Sequence, residues 1–152
     1  MKKFLFLTIS LCLLGAWFGV CFQTRAQFEV NQPTEASRVS PNFVVSQFQT
    51  AGGTANDEFI ELHNVSSNAV DLNGYRVVYR SAGGTNDVPF VEWTTSTIVA
   101  PGGYYLIAST GYDGTVTPNL TYNPTTCSCS MGAAGGGIAA RNGAVNSGVL
   151  ID

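Results

Sequence analysis

The sequence predicts an all-β domain, a sandwich or barrel of short strands, on the strength of three observations. From Asn42 onward, runs of β-branched and aromatic residues are separated by Gly, Asn and Pro, a pattern typical of short strands joined by turns. Within several of these runs, apolar and polar residues alternate with a period of two. No window shows sustained apolar spacing at three and four residues, so we expect almost no helix.

The predicted strands are short and end at turn residues. They cover 43–48, 58–63, 69–72, 75–80, 90–93, 104–108, 137–141 and 148–151. Tight turns are predicted at Asn73-Gly74 and at Pro101-Gly102, and the last two strands form a hairpin across Asn142-Gly143. The segment 110–136, rich in Thr, Asn, Gly and Pro, is predicted to be irregular.

The alternation also predicts which side chains are buried. Ile60 and Leu62 lie on one face of their strand, with Glu61 and His63 on the other. We expect Ile60, Leu62 and Leu106 to be buried. In the strand 75–80, Tyr75, Val77 and Tyr79 face one way and the two arginines the other. We expect Trp93 in the core rather than on a ligand platform, because it alternates with Val91.

The first 26 residues are predicted to form a secretory signal peptide. Lys2 and Lys3 precede an apolar run from Phe4 to Cys21, and Ala26 supplies a small residue at the cleavage point. Two alternatives stay open. In the first, the apolar run, whose length is close to the lower limit of the roughly 17–25 residues that span a bilayer, stays attached as a membrane anchor. In the second, Cys21 carries a lipid anchor. In each case we expect export, to the medium or the cell surface.

The predicted organisation is therefore a signal peptide at 1–26, a flexible polar leader at 27–42 and one β domain at 43–152. The strand pattern reaches Asp152 without a terminating turn. We accordingly expect a domain that is incomplete at its C-terminal end, within a longer reading frame.

Charge argues against nucleic acid as a partner of this domain. Three of the seven basic residues lie in the predicted signal peptide, so four remain against ten acidic residues, a formal net charge of −6. The remaining basic residues are Arg38, Arg76, Arg80 and Arg141. Binding to phosphates requires clustered cations, and no such cluster is present in the sequence. No membrane contact is expected beyond the signal peptide.

Three stretches, in their order and spacing, resemble the lamin tail domain in its bacterial secreted version: 58–64, 70–75 and 98–107. The resemblance covers roughly residues 43–152. It implies an immunoglobulin-like Greek-key β-sandwich, truncated at its C-terminal end. Bacterial relatives often accompany exported nuclease, phosphoesterase or other hydrolase domains, or surface-attachment modules. The family has no known catalytic residues, so the resemblance assigns none. The Cys127-Ser128-Cys129 element departs from the family pattern.

Catalysis by the single histidine, His63, is not expected. Ser66 and Ser67 are close in sequence, but members of a catalytic triad converge from separate loops and need an orienting carboxylate. No Gly-x-Ser-x-Gly motif occurs, since Ile107 stands where Ser109 would need the first glycine. We expect His63 on the surface of a strand.

No metal site is expected either. Asp57, Glu58 and Glu61, with Asn64, offer oxygen ligands for calcium, but calcium needs six to eight oxygens, and Glu58 and Glu61 point to opposite faces. We expect Asp57 and Glu58 at a solvated strand end, and no calcium at Asp87 or Asp113.

Cys127 and Cys129 lack the further ligands that zinc requires. Two cysteines that are two residues apart in an extended strand have a poor geometry for a disulfide with each other. We therefore expect a disulfide to a cysteine beyond Asp152 or between two copies of the protein.

The remaining motifs are weak. Gly135-x-Gly137-x-x-Ala140 has dinucleotide-binding spacing, but that motif works only between a strand and a helix, and here it leads into a strand. Tyrosines could floor a sugar-binding face, although tyrosine is also an ordinary strand residue. These tyrosines are Tyr79, Tyr104, Tyr105, Tyr112 and Tyr122.

The sequence therefore predicts an exported, non-catalytic module with no catalytic, cofactor-binding or metal-binding residues. We expect it to tether a neighbouring domain or the cell surface to an extracellular protein or polysaccharide surface. The first alternative is an N-terminal accessory domain of a longer secreted hydrolase, of nuclease or phosphoesterase type. The second is a carbohydrate-binding module.

Overall fold

The computed structural model describes Ser40 and residues 42–152. The predicted signal peptide, and the predicted leader apart from Ser40 and Asn42, lie outside the described residues. Ser40 is buried, and its hydroxyl oxygen accepts hydrogen bonds from the amides of Asn42 and Phe43. The described end of the predicted leader is therefore packed against the start of the first strand.

Ten strands and one short helix occur in the described part of the chain. In order they are β1 (Phe43–Gln49), β2 (Phe59–Asn64), β3 (Val70–Asp71), β4 (Tyr75–Ser81), β5 (Val88–Glu92), β6 (Ile98–Val99), β7 (Tyr104–Ser109), β8 (Leu120–Tyr122), α1 (Pro124–Cys127), β9 (Gly136–Asn142) and β10 (Val149–Leu150). No helix of the described residues has the length and apolarity to cross a membrane.

The strands form two four-stranded sheets and one small pair. Sheet I has the order β1-β2-β7-β8, and sheet II has the order β10-β9-β4-β5. β3 pairs with β6. All pairings are antiparallel except that of β7 with β8, which is parallel. The predicted final hairpin is confirmed as β9 and β10, and its loop runs from Gly143 to Gly148.

The two sheets pack face to face around one apolar core. Ile60 and Leu62 of sheet I and Val77 of sheet II are fully buried in it, and burying each such side chain contributes about 1.5–3 kcal/mol. Trp93 is also buried. The predictions for Ile60, Leu62, Leu106 and Trp93 are thus confirmed, and so is the all-β sandwich. Leu106 pairs with Glu61 and therefore lies on the outer face of sheet I.

Two glycines permit the tight turns that the sequence predicts. Gly74 has a φ of 83° and Gly102 a φ of 68°, both in the left-handed region that favours glycine. The Gly74 turn sends the chain into β4, and the Gly102 turn sends it into β7. Both turns confirm the predicted strand boundaries.

The prediction that residues 110–136 are irregular is wrong in part. β8 adds to β7 at the edge of sheet I, and α1 follows directly. β8 has only three residues, too few to show an alternation. Asn123 caps the helix, since its side-chain oxygen accepts from the amides of Thr125 and Thr126, and Pro124 occupies the first turn.

Candidate functional site

His63 lies on the outer face of sheet I and stacks on Tyr104. The ring centroids are 4.1 Å apart and the ring planes differ by 6°. Ser66 does not serve this histidine, because the single proton of its hydroxyl is directed to Asn64 Oδ1 and the Asn68 carbonyl oxygen, each 2.8 Å away. The described contacts of His63 thus make it an aromatic surface residue, as predicted.

Asn64 is a structural residue and not a metal ligand. It is fully buried. The two protons of its side-chain amide are shared among the carbonyl oxygens of Asn68, Val99 and Ala100, at 2.7–3.1 Å. Because these partners belong to the loop after β2 and to the end of β6, Asn64 ties two turns together. Its side-chain oxygen accepts from Ser66, so no free ligand atom remains.

The prediction that Asp57 and Glu58 stand at a solvated strand end is wrong. Glu58 is 0% exposed. Its Oε2 accepts from the Tyr122 hydroxyl and its Oε1 from the Met131 amide, both at 2.8 Å. A buried carboxylate needs such donors to replace water. The physical reason for the error is that both donors come from 64 or more residues further along the chain.

The Glu58–Tyr122 contact changes the tyrosine. Burial, and then the hydrogen bond and charge of Glu58, raise the pKa of Tyr122 far above its ordinary value. Tyr122 therefore remains a neutral donor over the whole physiological range. This is a structural contact, since it fastens β8 and the segment after α1 to the start of β2.

Asp57 and Asp113 form a pair of neighbouring carboxyl groups. Burial works to raise the pKa of Asp57, but hydrogen bonds from the amides of Gly53 (3.0 Å) and Asp113 (3.3 Å) outweigh burial and lower it. A hydrogen bond with the Asp57 carboxylate, together with its charge, raises the pKa of Asp113. Among the described residues, no three side chains of His, Cys, Asp or Glu converge to hold a metal.

Asp87 is the centre of a charged cluster on the outer face of sheet II. Its Oδ1 pairs with Arg80 at 2.6 Å and its Oδ2 with Arg141 at 2.7 Å. Arg76 pairs with Glu92 at 2.6 Å on the same face. The described arginines are therefore paired with acidic side chains, and Asp87 has no ligand atom to offer calcium.

The prediction for the two cysteines is wrong, because Cys127 and Cys129 are bonded to each other. The segment is not an extended strand. α1 ends at Cys127, and its C-cap Ser128 has a left-handed backbone with a φ of 52°. That turn brings the two Cα atoms to 5.1 Å, within the range usual for a disulfide.

The glycine-rich segment forms the start of β9 and is followed by strand, not helix. This agrees with the rejection of a dinucleotide site, since pyrophosphate binding uses a helix N-terminus.

The tyrosines do not form one platform. Tyr79 and Tyr122 are buried, and the Tyr79 hydroxyl donates to the Gly135 carbonyl oxygen at 2.8 Å. Tyr105 packs edge-on against Trp93, and Tyr112 against Phe59. Tyr104, 57% exposed, is the large aromatic surface residue of this group. The five tyrosine side chains thus lie in several different environments and do not share one face.

The described surface includes two open depressions with different linings. The first, the polar cleft, has a volume of about 430 Å³. Six of its lining residues carry hydroxyl groups: Ser109, Thr110, Tyr112, Thr115, Thr117 and Thr121.

The second depression, the apolar groove, has a volume of about 240 Å³ and lies between the end of β1 and the start of β9. Phe48, Tyr79, Met131 and Ile138 supply its side-chain walls, and Gly132 and 135–137 supply bare backbone. Sequence reasoning missed this site because its walls come from remote segments. The available signals were the glycine run and Phe48, an aromatic residue out of step with the strand alternation before it.

Comparison with known proteins gives one family. A family model described as Lamin Tail Domain matches residues 36–147. The comparison with curated proteins found no match.

Proposed function

The chain belongs to the Lamin Tail Domain family, a family of non-catalytic immunoglobulin-like domains, and on that premise we propose that it is an exported binding module. In this proposal it tethers a neighbouring domain or the cell surface to an extracellular protein or polysaccharide. The family match bears on the domain type, and the immunoglobulin-like β-sandwich follows from it. The proposal of export rests on the basic start, the apolar run from Phe4 to Cys21 and the small residue Ala26.

The observation that carries the proposal is the contrast between internal polar groups and exposed aromatic groups. Glu58 and Asp87 are held by partners within the domain. Phe48 and Tyr104, in contrast, are 52% and 57% exposed. Large aromatic side chains at a surface supply contact area for recognition. The carboxylates of Glu58 and Asp87 are thus engaged in contacts that stabilise the domain, while aromatic side chains stay at the surface. This arrangement is suited to binding.

The distribution of charge limits the classes of partner that this domain can bind. The described arginines are paired with Glu92 and Asp87, which leaves no free cationic patch among these residues to meet phosphates. We therefore propose a partner that is not a nucleic acid. An accessory role in a longer secreted hydrolase stays a prediction, and reading the gene beyond Asp152 tests it.

Export and tethering are tested together. The full chain is expressed in a bacterial host, and the N-terminus of the protein recovered from outside the cytoplasm is determined by mass spectrometry. We expect processing after Ala26, and saturable binding of the processed chain to intact cells or to isolated envelope polysaccharide. Retention of an unprocessed chain in the cytoplasm, or binding that never saturates, would remove the proposal.

A second function, carbohydrate binding, is favoured by one observation. Five of the hydroxyl-bearing residues that line the polar cleft are threonines or Tyr112, and Tyr112 adds an aromatic ring. Sugars are bound by hydroxyl and amide hydrogen bonds beside an aromatic face. A glycan array with the processed chain tests this function, with Thr121→Val as the cleft variant and Thr95→Val, outside the cleft, as its control. Glycan binding that both variants retain equally would exclude the cleft.

A further inference from the structure

We propose that the outer face of sheet I binds a long cationic side chain, arginine or lysine, from an exposed basic segment of an extracellular protein. The inference rests on the proposed function, because it names the class of partner that the module holds. The binding surface, here named the aromatic–acidic face, consists of Glu61 and the stacked pair His63 and Tyr104. All three residues lie on β2 and β7, the central strands of sheet I.

The register of sheet I brings the three side chains together. His63 pairs with Tyr104, and Glu61 lies two residues before His63 on β2. Leu62, between them in the chain, points into the core, so Glu61 and His63 both point outward. Diagonal neighbours on one face of a sheet are about 7–8 Å apart. One arginine or lysine side chain can therefore reach from Tyr104 to the Glu61 carboxylate.

The Glu61 carboxylate is held in place by neutral donors. Its Oε1 accepts from the Ser46 hydroxyl at 2.6 Å and from the Gln47 side-chain amide at 3.1 Å. The shift of register between Val45 and Gln47 in β1 places these two consecutive donors at Glu61. Among the described residues, Glu61 forms no ion pair and its Oε2 accepts no hydrogen bond. A fixed carboxylate with a free oxygen is a strong acceptor for a guanidinium or ammonium group.

The stacked pair supplies an apolar surface for the stem of such a side chain. The His63 ring covers one face of the Tyr104 ring, with the ring centroids 4.1 Å apart. β8 pairs with β7 from Ile107 onward, so in the described part of the chain no strand lies beside Tyr104 on its other side. Arginine and lysine pack their apolar stems on surfaces of this kind, and an aromatic ring also attracts their charged heads.

The distribution of charge favours a basic partner for this face. The three described arginines lie on β4 and β9 of sheet II, and each is paired with Asp87 or Glu92. These ion pairs are on the outer face of sheet II, so the core of the sandwich separates them from Glu61. Asp57 and Asp113, near the start of β2, add negative charge on the side of sheet I. A surface of this charge attracts basic partners and repels acidic ones.

A basic protein segment fits these features better than other occupants. A second copy of the domain is disfavoured, because its described arginines are already paired. A metal ion is disfavoured, because no three ligand side chains converge among the described residues. A neutral glycan would cover the aromatic pair but leave the Glu61 charge without a partner. An arginine or lysine side chain provides both an apolar stem and a cation.

The test uses the purified chain, isotopically labelled, at pH 7.5 and about 0.15 M salt. The peptides are acetyl-Ser-X-Ser-X-Ser-amide, in which X is arginine, citrulline or glutamate. Citrulline has nearly the shape of arginine but lacks its charge. With the arginine peptide we expect saturable NMR shifts at Glu61, His63 and Tyr104. We expect the citrulline peptide to bind roughly five-fold more weakly or less, and the glutamate peptide to cause no shifts at these residues.

Variants locate the binding. Glu61→Gln removes the charge but keeps the size of the side chain, and is expected to weaken the arginine peptide about five-fold while changing the citrulline peptide less than about two-fold. Glu92→Gln is the matched control, because it removes the same charge from the outer face of sheet II and should leave the affinity within about two-fold. Tyr104→Ala is expected to weaken the arginine peptide about three-fold, whereas Tyr104→Phe keeps the ring and the affinity.

Four results would overturn the assignment of a basic partner. They are no shifts with the arginine peptide at millimolar concentration, equal binding of the arginine and citrulline peptides, equal losses in Glu61→Gln and Glu92→Gln, and shifts at the face that grow with protein concentration alone, which would indicate a second copy. If the processed chain still binds cells or envelope polysaccharide in any of these cases, the proposed function stands and only the basic partner is lost.

Discussion

Tyr122 donates its hydroxyl proton to Glu58 across 2.8 Å in the interior of the sandwich. The contact joins β8 to the residue before β2, and the Met131 amide completes it by donating to the other carboxylate oxygen. Three segments that are far apart in sequence thus meet at one buried carboxylate. The contact explains why the chain after β7 is ordered around α1 in spite of its loop-like composition.

Tyr122→Phe removes the hydroxyl donor and is expected to destabilise the domain by about 1.5–3 kcal/mol, because a hydrogen bond to a charged group is lost and one carboxylate oxygen stays buried without a donor. Urea unfolding followed by tryptophan fluorescence measures the change. The matched control is Tyr104→Phe at the surface, which should change the free energy of unfolding by less than about 0.5 kcal/mol. Equal effects of the two changes would show that the buried contact has no special weight.

Asp113→Asn is expected to stabilise the domain at neutral pH. Because the pKa of Asp113 is raised in the folded state, the folded protein binds the proton more tightly. The cost of ionising Asp113 therefore appears as pH rises from about 3.8 through the raised pKa. The melting temperature of the variant should be higher than that of the wild type at pH 7, and this difference should vanish at pH 3. Thermal melts at both values measure it.

Asp71→Asn should have the opposite sign. Hydrogen bonds from the amides of Asn73 and Thr97 lower the pKa of Asp71. Its ionised form therefore contributes stability that is present above the unfolded pKa of about 3.8 and is lost as pH falls through the lowered value. The variant should melt below the wild type at pH 7 and approach it in acid. Thermal melts of Asp71→Asn that rise at pH 7 would contradict this assignment.

Asp87→Asn is expected to cost about 1–3 kcal/mol, since Arg80 and Arg141 then lack their charged acceptor on the outer face of sheet II. Denaturant unfolding at low and at high salt measures the loss. Glu92→Gln is the control, because its pair with Arg76 is half exposed and such pairs contribute roughly 0–1 kcal/mol. A larger loss for Glu92→Gln than for Asp87→Asn would refute the ranking.

Local patterns were sufficient to predict much of the sandwich. The alternation in β2 identified Ile60 and Leu62 as core residues, and the Asn73-Gly74 turn placed the start of β4 correctly. The same alternation also puts Glu58 on the inner face, but a charged side chain at this position is expected to be exposed to solvent. Only the fold brings Tyr122 and Met131 to it, so its burial could not be predicted from neighbouring residues.

The candidate sites depend even more on long-range contacts. The apolar groove combines Phe48 with the segment 131–138, and the Asp57–Asp113 pair joins two separate loops. No sequence window contains both partners of either site. The prediction for the disulfide is wrong because it assumes an extended backbone, whereas the left-handed residue Ser128 turns the chain between the two cysteines.

The central claim is that this chain binds and does not catalyse, and turnover assays test it most directly. The processed chain and its His63→Ala variant are incubated with ester, phosphomonoester and nucleic-acid substrates, and product is measured over time. We expect that neither protein exceeds the background rate. Turnover by the wild type that disappears in a folded His63→Ala variant would contradict it.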